Sequence, residues 1–262
     1  LPGQPAELMP MVERHLIPRL RRLTGGTVLL SSTLKLTGTT ESEVDAKVRA
    51  LLALKGETTV GIYAHPGQVD LRITARGKND REARRRIAGV ERRNLTRVGG
   101  LFYGADDETL ESAVGTLLKR RHQRLAVAES CTGGLIQHRL TDIAGSSDFF
   151  LGGVVAYSNS IKQSVLGVKP KTLKKYGAVS PETAQTMAIG VRHLTGSHLG
   201  LAVTGIAGPS GATKTKPVGL VYIALAHGRS TSVRKFLFTG SRGTIKWKAS
   251  QASLNLLRLH LL

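Results

Sequence analysis

Three short segments in the second half of the sequence combine hydroxyl, amine and glycine residues in ways that could support chemistry. The first, residues 128–134 (AESCTGG), places Ser130 between a predicted strand and a predicted helix. A serine at such a turn can expose its hydroxyl while nearby backbone N–H groups stabilise an oxyanion, and Gly133 and Gly134 let the backbone approach a substrate closely. The nucleophile-elbow pattern Gly-x-Ser-x-Gly is not met, because Ala and Thr stand at its glycine positions. A helix-capping serine in a glycine turn is therefore the alternative interpretation.

The second segment, residues 157–162 (YSNSIK), follows the next predicted strand and combines a phenol with an amine. Partial burial would lower the pKa of the Lys162 amine, so that it could act as a general base toward a serine hydroxyl while Tyr157 relays the proton. The alternative is a surface loop with a solvated lysine.

The third segment, residues 203–215 (VTGIAGPSGATKT), follows another predicted strand and is rich in small residues. It nearly matches the phosphate-binding pattern Gly-x-x-x-x-Gly-Lys-[Ser/Thr], but Thr213 stands at the second glycine, and Pro217 and Gly219 interrupt any following helix. It also lacks the Gly-x-Gly start of a dinucleotide-binding turn. A flexible loop that surrounds an anion remains compatible with this segment.

The residue counts argue against several other chemistries. Residues 125–262 contain four acidic residues, too few to favour a hard-metal site built from several carboxylates. No His-Glu-x-x-His or paired-ligand histidine spacing appears, and a Ser-His-Asp triad has no clearly placed acid. The single cysteine, Cys131, excludes an intramolecular disulfide. It is a rival nucleophile beside Ser130, although a buried free thiol is the usual state of such a residue.

The net charge and the absence of membrane and secretion signals bear on the partners and the cellular location of the protein. The net charge of +20 at pH 7 would attract nucleotides, phosphates or nucleic acid, although a basic surface can also simply maintain solubility. No apolar run approaches the roughly 20 residues needed to span a bilayer, and the N-terminus lacks the features of a secretory signal. We therefore expect a cytoplasmic protein without a membrane partner. The absence of an initial Met suggests a fragment of a longer chain.

The three segments require a scaffold of alternating strands and helices. Strands are predicted at 125–128, 151–156, 199–203, 218–226 and 231–238, and helices at 134–142, 160–166, 181–195 and 241–259. Such alternation is typical of a layered α/β domain. A helix at 106–121, acidic at its start and basic at its end in agreement with the helix dipole, is expected to connect this domain to the preceding one.

The first half predicts a smaller α+β unit. Its elements are a strand at 27–36, a helix at 40–54, strands at 58–64 and 69–75, and a helix at 80–98 that is capped by Asp80. This order resembles split-βαβ or KH-like modules. The last helix carries seven arginines, which form either a nucleic-acid face or a solvated surface, and the Gly-x-x-Gly loop of nucleic-acid-binding KH domains is absent. The expected domains are a tail at 1–26, a KH-like domain at 27–104 and an α/β domain at 105–262.

Taken together, the segments resemble the C-terminal domain of the CinA family, the nicotinamide-nucleotide amidohydrolase (NMN deamidase) family. The likeness spans about residues 125–262. It rests on four motifs in the right order and spacing: 128–134, 151–159 (LGGVVAYSN), 202–209 (AVTGIAGP) and 216–221 (KPVGLV). Residues 27–124 are similar to the KH-like middle domain of this competence/damage-inducible family, and residues 1–7 to the end of its first, molybdopterin-cofactor-binding-like domain.

The resemblance implies hydrolysis of the carboxamide of nicotinamide mononucleotide (NMN) to nicotinate mononucleotide and ammonia, a step of pyridine nucleotide salvage, without a metal or cofactor. It implies Ser130 as the nucleophile, Tyr157 and Lys162 as proton-handling residues, and Thr204 in the same pocket. Arg242 corresponds to an arginine near the substrate. Further substrate contacts are expected at Cys131, Thr132, Gly133, Gly134, Asn159 and Gly205.

The sequence also departs from the family pattern. Ser210 and Ala212 stand where glycine is usual, which affects loop closure or affinity, and Ser241 stands where Asp is common, which affects the orientation of Arg242. The ADP-ribose pyrophosphatase activity of the first domain is not expected in this chain.

Two hypotheses follow. In the first, the chain is a metal-independent amidohydrolase and a homodimer that acts on NMN, with Arg242 or the loop at 205–215 meeting the phosphate. In the second, the basic middle domain binds single-stranded nucleic acid and the second half is a degenerate enzyme that serves for dimerisation. We favour the enzyme because the complete set of motifs is present in order.

Overall fold

The computed structural model describes residues 3–23, 27–54 and 56–262. The expected likeness at residues 1–7 therefore lies partly outside the described residues. The chain divides into two compact units. The first ends at Asp106 and excludes Pro66–Gln68, and the second consists of Pro66–Gln68 and Asp107–Leu262. The first unit opens with helix α1 (Pro5–Met11), a π-helical turn (Val12–Leu16) and helix α2 (Ile17–Leu23). Within the described residues, no helix is long and apolar enough to cross a bilayer.

The rest of the first unit is a split-βαβ module. Its elements are β1 (Val28–Thr37), α3 (Glu41–Leu52), β2 (Thr58–His65), β3 (Gln68–Gly77), α4 (Asp80–Val98) and β4 (Phe102–Ala105). The sheet order is β2-β3-β1-β4, and the βαββαβ order is that of ferredoxin-like modules. The predicted α+β unit is confirmed, but the sequence analysis missed β4, a strand of four residues that pairs antiparallel with β1.

Capping side chains set the starts of α3 and α4. Thr40 and Glu43 form a reciprocal capping box at the start of α3, an arrangement that satisfies two otherwise free N–H groups. The N-cap of α4 was predicted at Asp80, one residue too late. Asn79, not Asp80, is the N-cap, because the Asn79 side chain accepts the N–H of Glu82.

The second unit is a layered α/β domain, as predicted. Its strands are β5 (Leu125–Glu129), β6 (Phe150–Val155), β7 (Leu199–Gly205), β8 (Leu220–His227) and β9 (Ser230–Leu237). Its helices are α5 (Leu110–Arg120), α6 (Leu135–Thr141), α7 (Asn159–Ser164), α8 (Pro170–Tyr176), α9 (Pro181–Thr195) and α10 (Arg242–Leu261). The sheet order is β6-β5-β7-β8-β9. Strand β5 is parallel to its neighbours β6 and β7, whereas β8 is antiparallel to both β7 and β9.

Helices cover both faces of this sheet. Helix α9 packs against β5, β7 and β8 on one face, over buried small side chains such as Ala126, Ala128 and Ala202. Helices α6 and α10 contact the sheet as well, and α5 packs against both of them. Small side chains bring α9 close to the sheet, and at Gly200 even a Cβ atom would overlap the carbonyl oxygen of Ala188.

Three details of this domain differ from the prediction. Helix α5 begins at Leu110 rather than near Asp106, because the Thr109 side chain caps it by accepting the N–H of Ser112. Helix α8 was missed. The last helix, predicted at 241–259, extends to Leu261, and α10 buries polar residues as well as apolar ones, among them Ser250, Gln251 and Ser253.

The close contact at Gly200 gives a stability prediction. Gly200→Ala should lower the free energy of unfolding by about 1–3 kcal/mol, because the added methyl group forces α9 away from β7. Denaturant unfolding followed by circular dichroism measures the change. Gly243→Ala in α10 is the control, since its Cβ would meet its nearest neighbour at 3.9 Å. Equal stability of both variants and the parent would contradict the argument.

Candidate active site

The carboxyl ends of three neighbouring parallel strands bring the three segments together. Ser130 follows β5 directly, and its N–H donates to the carbonyl of Val203 on β7 at 3.0 Å. On the other side, the N–H of Ala156, which follows β6, donates to the carbonyl of Glu129 at 2.7 Å. Ligands of open α/β sheets bind at such strand ends. The sheet therefore joins residues that are far apart in sequence.

A buried carboxylate shapes the turn that contains Ser130. Glu129 is fully buried, and its two carboxylate oxygens accept the N–H groups of Gly134 at 2.9 Å, Ile136 at 3.2 Å and Gln137 at 2.9 Å. The turn also needs glycine, because Gly133 and Gly134 have φ angles of +63° and +96°, which other residues rarely adopt. No role was predicted for Glu129, although a lone acid at the end of an apolar strand is a signal for one.

The turn leaves two backbone donors for an oxyanion. The N–H of Gly134 is bound by Glu129, and the N–H of Gly133 donates to the carbonyl of Ser130 at 3.2 Å. The N–H groups of Cys131 and Thr132 are therefore the candidates. Thr132 is fully buried, and its hydroxyl has no hydrogen-bond partner among the described residues.

Lys162 lies almost completely out of solvent beside this turn. Its side chain is buried, and Nζ donates to the carbonyls of Ala156 at 2.7 Å and Tyr157 at 3.1 Å. Desolvation lowers the pKa of its amine. A neutral amine has two N–H groups and one lone pair, so two donated hydrogen bonds leave the lone pair for a proton. The alternative of a solvated lysine does not hold.

Cys131 is buried next to Ser130, which itself is only 8% exposed. Burial is the largest cause that raises the pKa of the Cys131 thiol from 9.0 to about 12, while the charges of Lys162 and Lys246 act in the opposite direction. The thiolate, which is the reactive form, is therefore strongly disfavoured at neutral pH.

Arg242 links the second and third segments. It begins α10, whose N-cap Ser241 accepts the N–H of Thr244 at 3.3 Å. Serine thus provides the helix cap at the position where Asp is common. The Arg242 guanidinium donates to the carbonyl of Gly208 at 2.7 Å and to the hydroxyl oxygen of Tyr157 at 2.9 Å. Its orientation is therefore defined by both loops.

Three other expected site residues have structural contacts or lie at the rim. The Thr204 hydroxyl is buried and donates to the carbonyl of Ala178 at 2.8 Å, so it is committed to the segment before α9. At Gly205, a Cβ atom would lie 2.7 Å from the Val221 side chain on β8. Asn159 begins α7 and is exposed.

No group of three or more His, Cys, Asp or Glu residues in the described part of the chain could hold a metal ion.

The arginine-rich helix α4 lies in the other unit. It buries an apolar stripe and exposes most of its arginines, while Arg86 pairs with Glu82 at 2.9 Å and Glu57 at 3.5 Å. Its use as a nucleic-acid face stays a prediction.

Two family models match the chain. The model described as the CinA C-terminal domain matches residues 107–261, and the model of the damage-inducible protein CinA KH domain matches residues 31–104.

Among curated proteins, a provisionally named competence-damage inducible protein of Moorella thermoacetica is 48% identical over 258 residues, which are 98% of this chain and 62% of that protein. A CinA-like protein of Kosmotoga olearia is 42% identical over 262 residues, which are 100% of this chain and 63% of that protein. The chain thus spans about three-fifths of the length of these curated relatives.

Solved structures of similar proteins align with somewhat more than half of this chain. The competence/damage inducible protein CihA from Agrobacterium tumefaciens has 38% identity and a TM-score of 0.56, covering 58% of this chain and 93% of its own. A competence-damaged protein (CinA) superfamily protein from Escherichia coli has 30% identity and a TM-score of 0.55, covering 59% of this chain and 92% of its own.

The contacts of Glu129 give a prediction. Glu129→Gln should lower the free energy of unfolding by about 1–3 kcal/mol, because an amide NH2 group would face N–H donors and leave them unsatisfied. Thermal and denaturant unfolding measure the change. Glu182→Gln in the first turn of α9 removes the same charge and should cost only a few tenths of a kcal/mol. A Glu129→Gln variant as stable as this control would rule out the shaping role.

Proposed function

This chain belongs to the CinA family, and we propose that its C-terminal domain hydrolyses the carboxamide of NMN to nicotinate mononucleotide and ammonia. The proposal is carried by one observation, the buried Lys162 amine at the strand ends that also hold the Ser130 turn. The chemistry that a desolvated amine beside a serine supports is acyl transfer, in which the amine removes the hydroxyl proton. The substrate is inferred from the family resemblance.

In the proposed reaction, Ser130 Oγ attacks the carboxamide carbon while its proton passes to the lone pair of Lys162 Nζ. The N–H groups of Cys131 and Thr132 stabilise the oxyanion of the tetrahedral intermediate. The C–N bond then breaks, and Lys162 returns the proton to the leaving nitrogen, which departs as ammonia. Lys162 then deprotonates a water molecule that attacks the acyl carbon. The bond between this carbon and Ser130 Oγ breaks, Lys162 returns the proton to Oγ, and the acid leaves as nicotinate mononucleotide.

Tyr157 and Arg242 belong to the rim of the proposed site. The Tyr157 side chain is 62% exposed, and its hydroxyl oxygen accepts a hydrogen bond from Arg242. Because both side chains are exposed at the strand ends, they are available to a substrate that enters from solvent.

The expected homodimer has a candidate surface at the edge of the sheet that β6 forms. Strand β6 is an edge strand. Exposed apolar side chains continue from it into α7 and the residue after it, namely Leu151, Val155, Ile161 and Val165. A second copy of the chain on this edge would cover them.

The nucleophile is tested by ammonia release from NMN. Ser130→Ala should lower kcat by roughly a factor of 10³ or more while the fold is retained. Cys131→Ala is the matched control and should retain most of the activity, because the buried thiol stays protonated. Unchanged turnover in Ser130→Ala would exclude Ser130 as the nucleophile, and loss of turnover in Cys131→Ala alone would assign the role to the thiol.

The base is tested by the pH dependence of kcat/KM. Lys162 must be neutral to accept a proton, so activity should rise with pH and level off below pH 10.5, the ordinary pKa of lysine, because desolvation lowers the pKa of this amine. Lys162→Arg should be inactive over the same range, since a guanidinium does not deprotonate in proteins. A flat profile in the parent enzyme, or an active Lys162→Arg variant, would contradict the assignment.

A further inference from the structure

A second lysine lies over the Ser130 turn without a partner. Lys246 is on α10, one helical turn after Arg242, and a Cβ atom built on Gly133 would lie 3.7 Å from its Nζ. The side chain is half-buried. Lys246 forms no hydrogen bond or ion pair with any residue that the structure describes. A half-buried ammonium group in this state lacks the compensation that burial of a charge normally requires.

The surrounding acids do not neutralise this charge. In the second domain, Glu129 uses both of its carboxylate oxygens on backbone N–H groups. Asp142 lies 3.6 Å from His138, and Asp148 lies 3.0 Å from Lys119. Within the described residues, neither Lys246 nor Arg242 has a carboxylate partner. The site therefore has an excess of positive charge that an anionic ligand would balance.

Arg242 and Lys246, one helical turn apart on α10, are not equivalent. Two N–H groups of Arg242 already bind the Gly208 carbonyl and the Tyr157 hydroxyl, so its guanidinium is held by the two loops. Lys246 has all of its donors available. An ammonium group on a flexible stem binds a phosphate monoester as a point charge, without the fixed geometry that a guanidinium imposes.

We propose that Lys246 is the phosphate-binding residue of the active site and selects phosphorylated pyridine nucleosides over unphosphorylated ones. This inference rests on the proposed function and deepens it. Arg242 is then a positioning residue that holds Tyr157 and the loop at Gly208, and Lys246 supplies the charge that meets the substrate's 5′-phosphate. The sequence had indicated Arg242 or the loop at 205–215 as the group that meets the phosphate.

The test compares NMN with nicotinamide riboside, which carries the same carboxamide but no phosphate. Lys246→Met keeps the aliphatic stem and removes the charge. It should raise KM for NMN about 10- to 100-fold, the range expected for loss of one charged hydrogen bond. Its kcat for NMN and its kcat/KM for the riboside should stay within about threefold of the parent. Lys246→Arg should restore most of the affinity.

Lys235→Met is the control, because it removes the same charge from an exposed position on β9 and should leave both substrates unaffected. Thermal melting verifies that each variant folds. An unchanged KM for NMN in Lys246→Met would overturn the proposal. Equal losses of kcat on both substrates would also overturn it, because they would place Lys246 at the reacting carboxamide instead of the phosphate.

A binding measurement separates this inference from the hydrolysis itself. Ribose 5-phosphate has no amide, so its affinity, measured by titration calorimetry, does not depend on turnover. Binding to the parent that weakens about 10-fold or more in Lys246→Met but not in Lys235→Met supports the phosphate site even if NMN is not hydrolysed. Equal affinity in the parent and in Lys246→Met would overturn the site even in an active enzyme.

Discussion

The turn at the candidate active site depends on one buried carboxylate. Glu129 at the end of β5 binds the N–H groups of Gly134, Ile136 and Gln137, and so joins the strand to the start of α6. Three charge-assisted hydrogen bonds compensate the burial of the charge, which would otherwise be costly. Because both ends of residues 129–134 are fixed, the position of Ser130 relative to the sheet is fixed as well.

The sheet extends this constraint to the rest of the site. Backbone hydrogen bonds from Ser130 to Val203 and from Ala156 to Glu129 hold the three parallel strands in register at their carboxyl ends. Lys162 then binds the carbonyl of Ala156, so the position of the amine follows from the same register. The candidate base and nucleophile are thus placed by backbone contacts, and substitutions elsewhere on the surface are expected to leave their geometry intact.

The sequence predicted the parts of this arrangement that depend on local pattern. Apolar runs, turns and helix starts indicated both domains and most of their strands, and the motifs singled out Ser130 and Lys162. It could not predict contacts that exist only after folding. The partners of Glu129, the commitment of the Thr204 hydroxyl to Ala178 and the location of Lys246 over Gly133 all join residues of different elements. The strand β4 was missed for a related reason, since four residues carry too little periodicity.

Burial of the candidate site favours the neutral form of both the Lys162 amine and the Cys131 thiol. It lowers the pKa of the Lys162 amine and raises the pKa of the Cys131 thiol, so both groups are driven toward their neutral forms. A thiolate nucleophile needs an environment that stabilises its charge, and this site does not provide one. A hydroxyl nucleophile needs a neutral base that accepts its proton as attack proceeds, which a desolvated lysine provides. The same low polarity therefore favours serine over the adjacent cysteine as the proposed nucleophile.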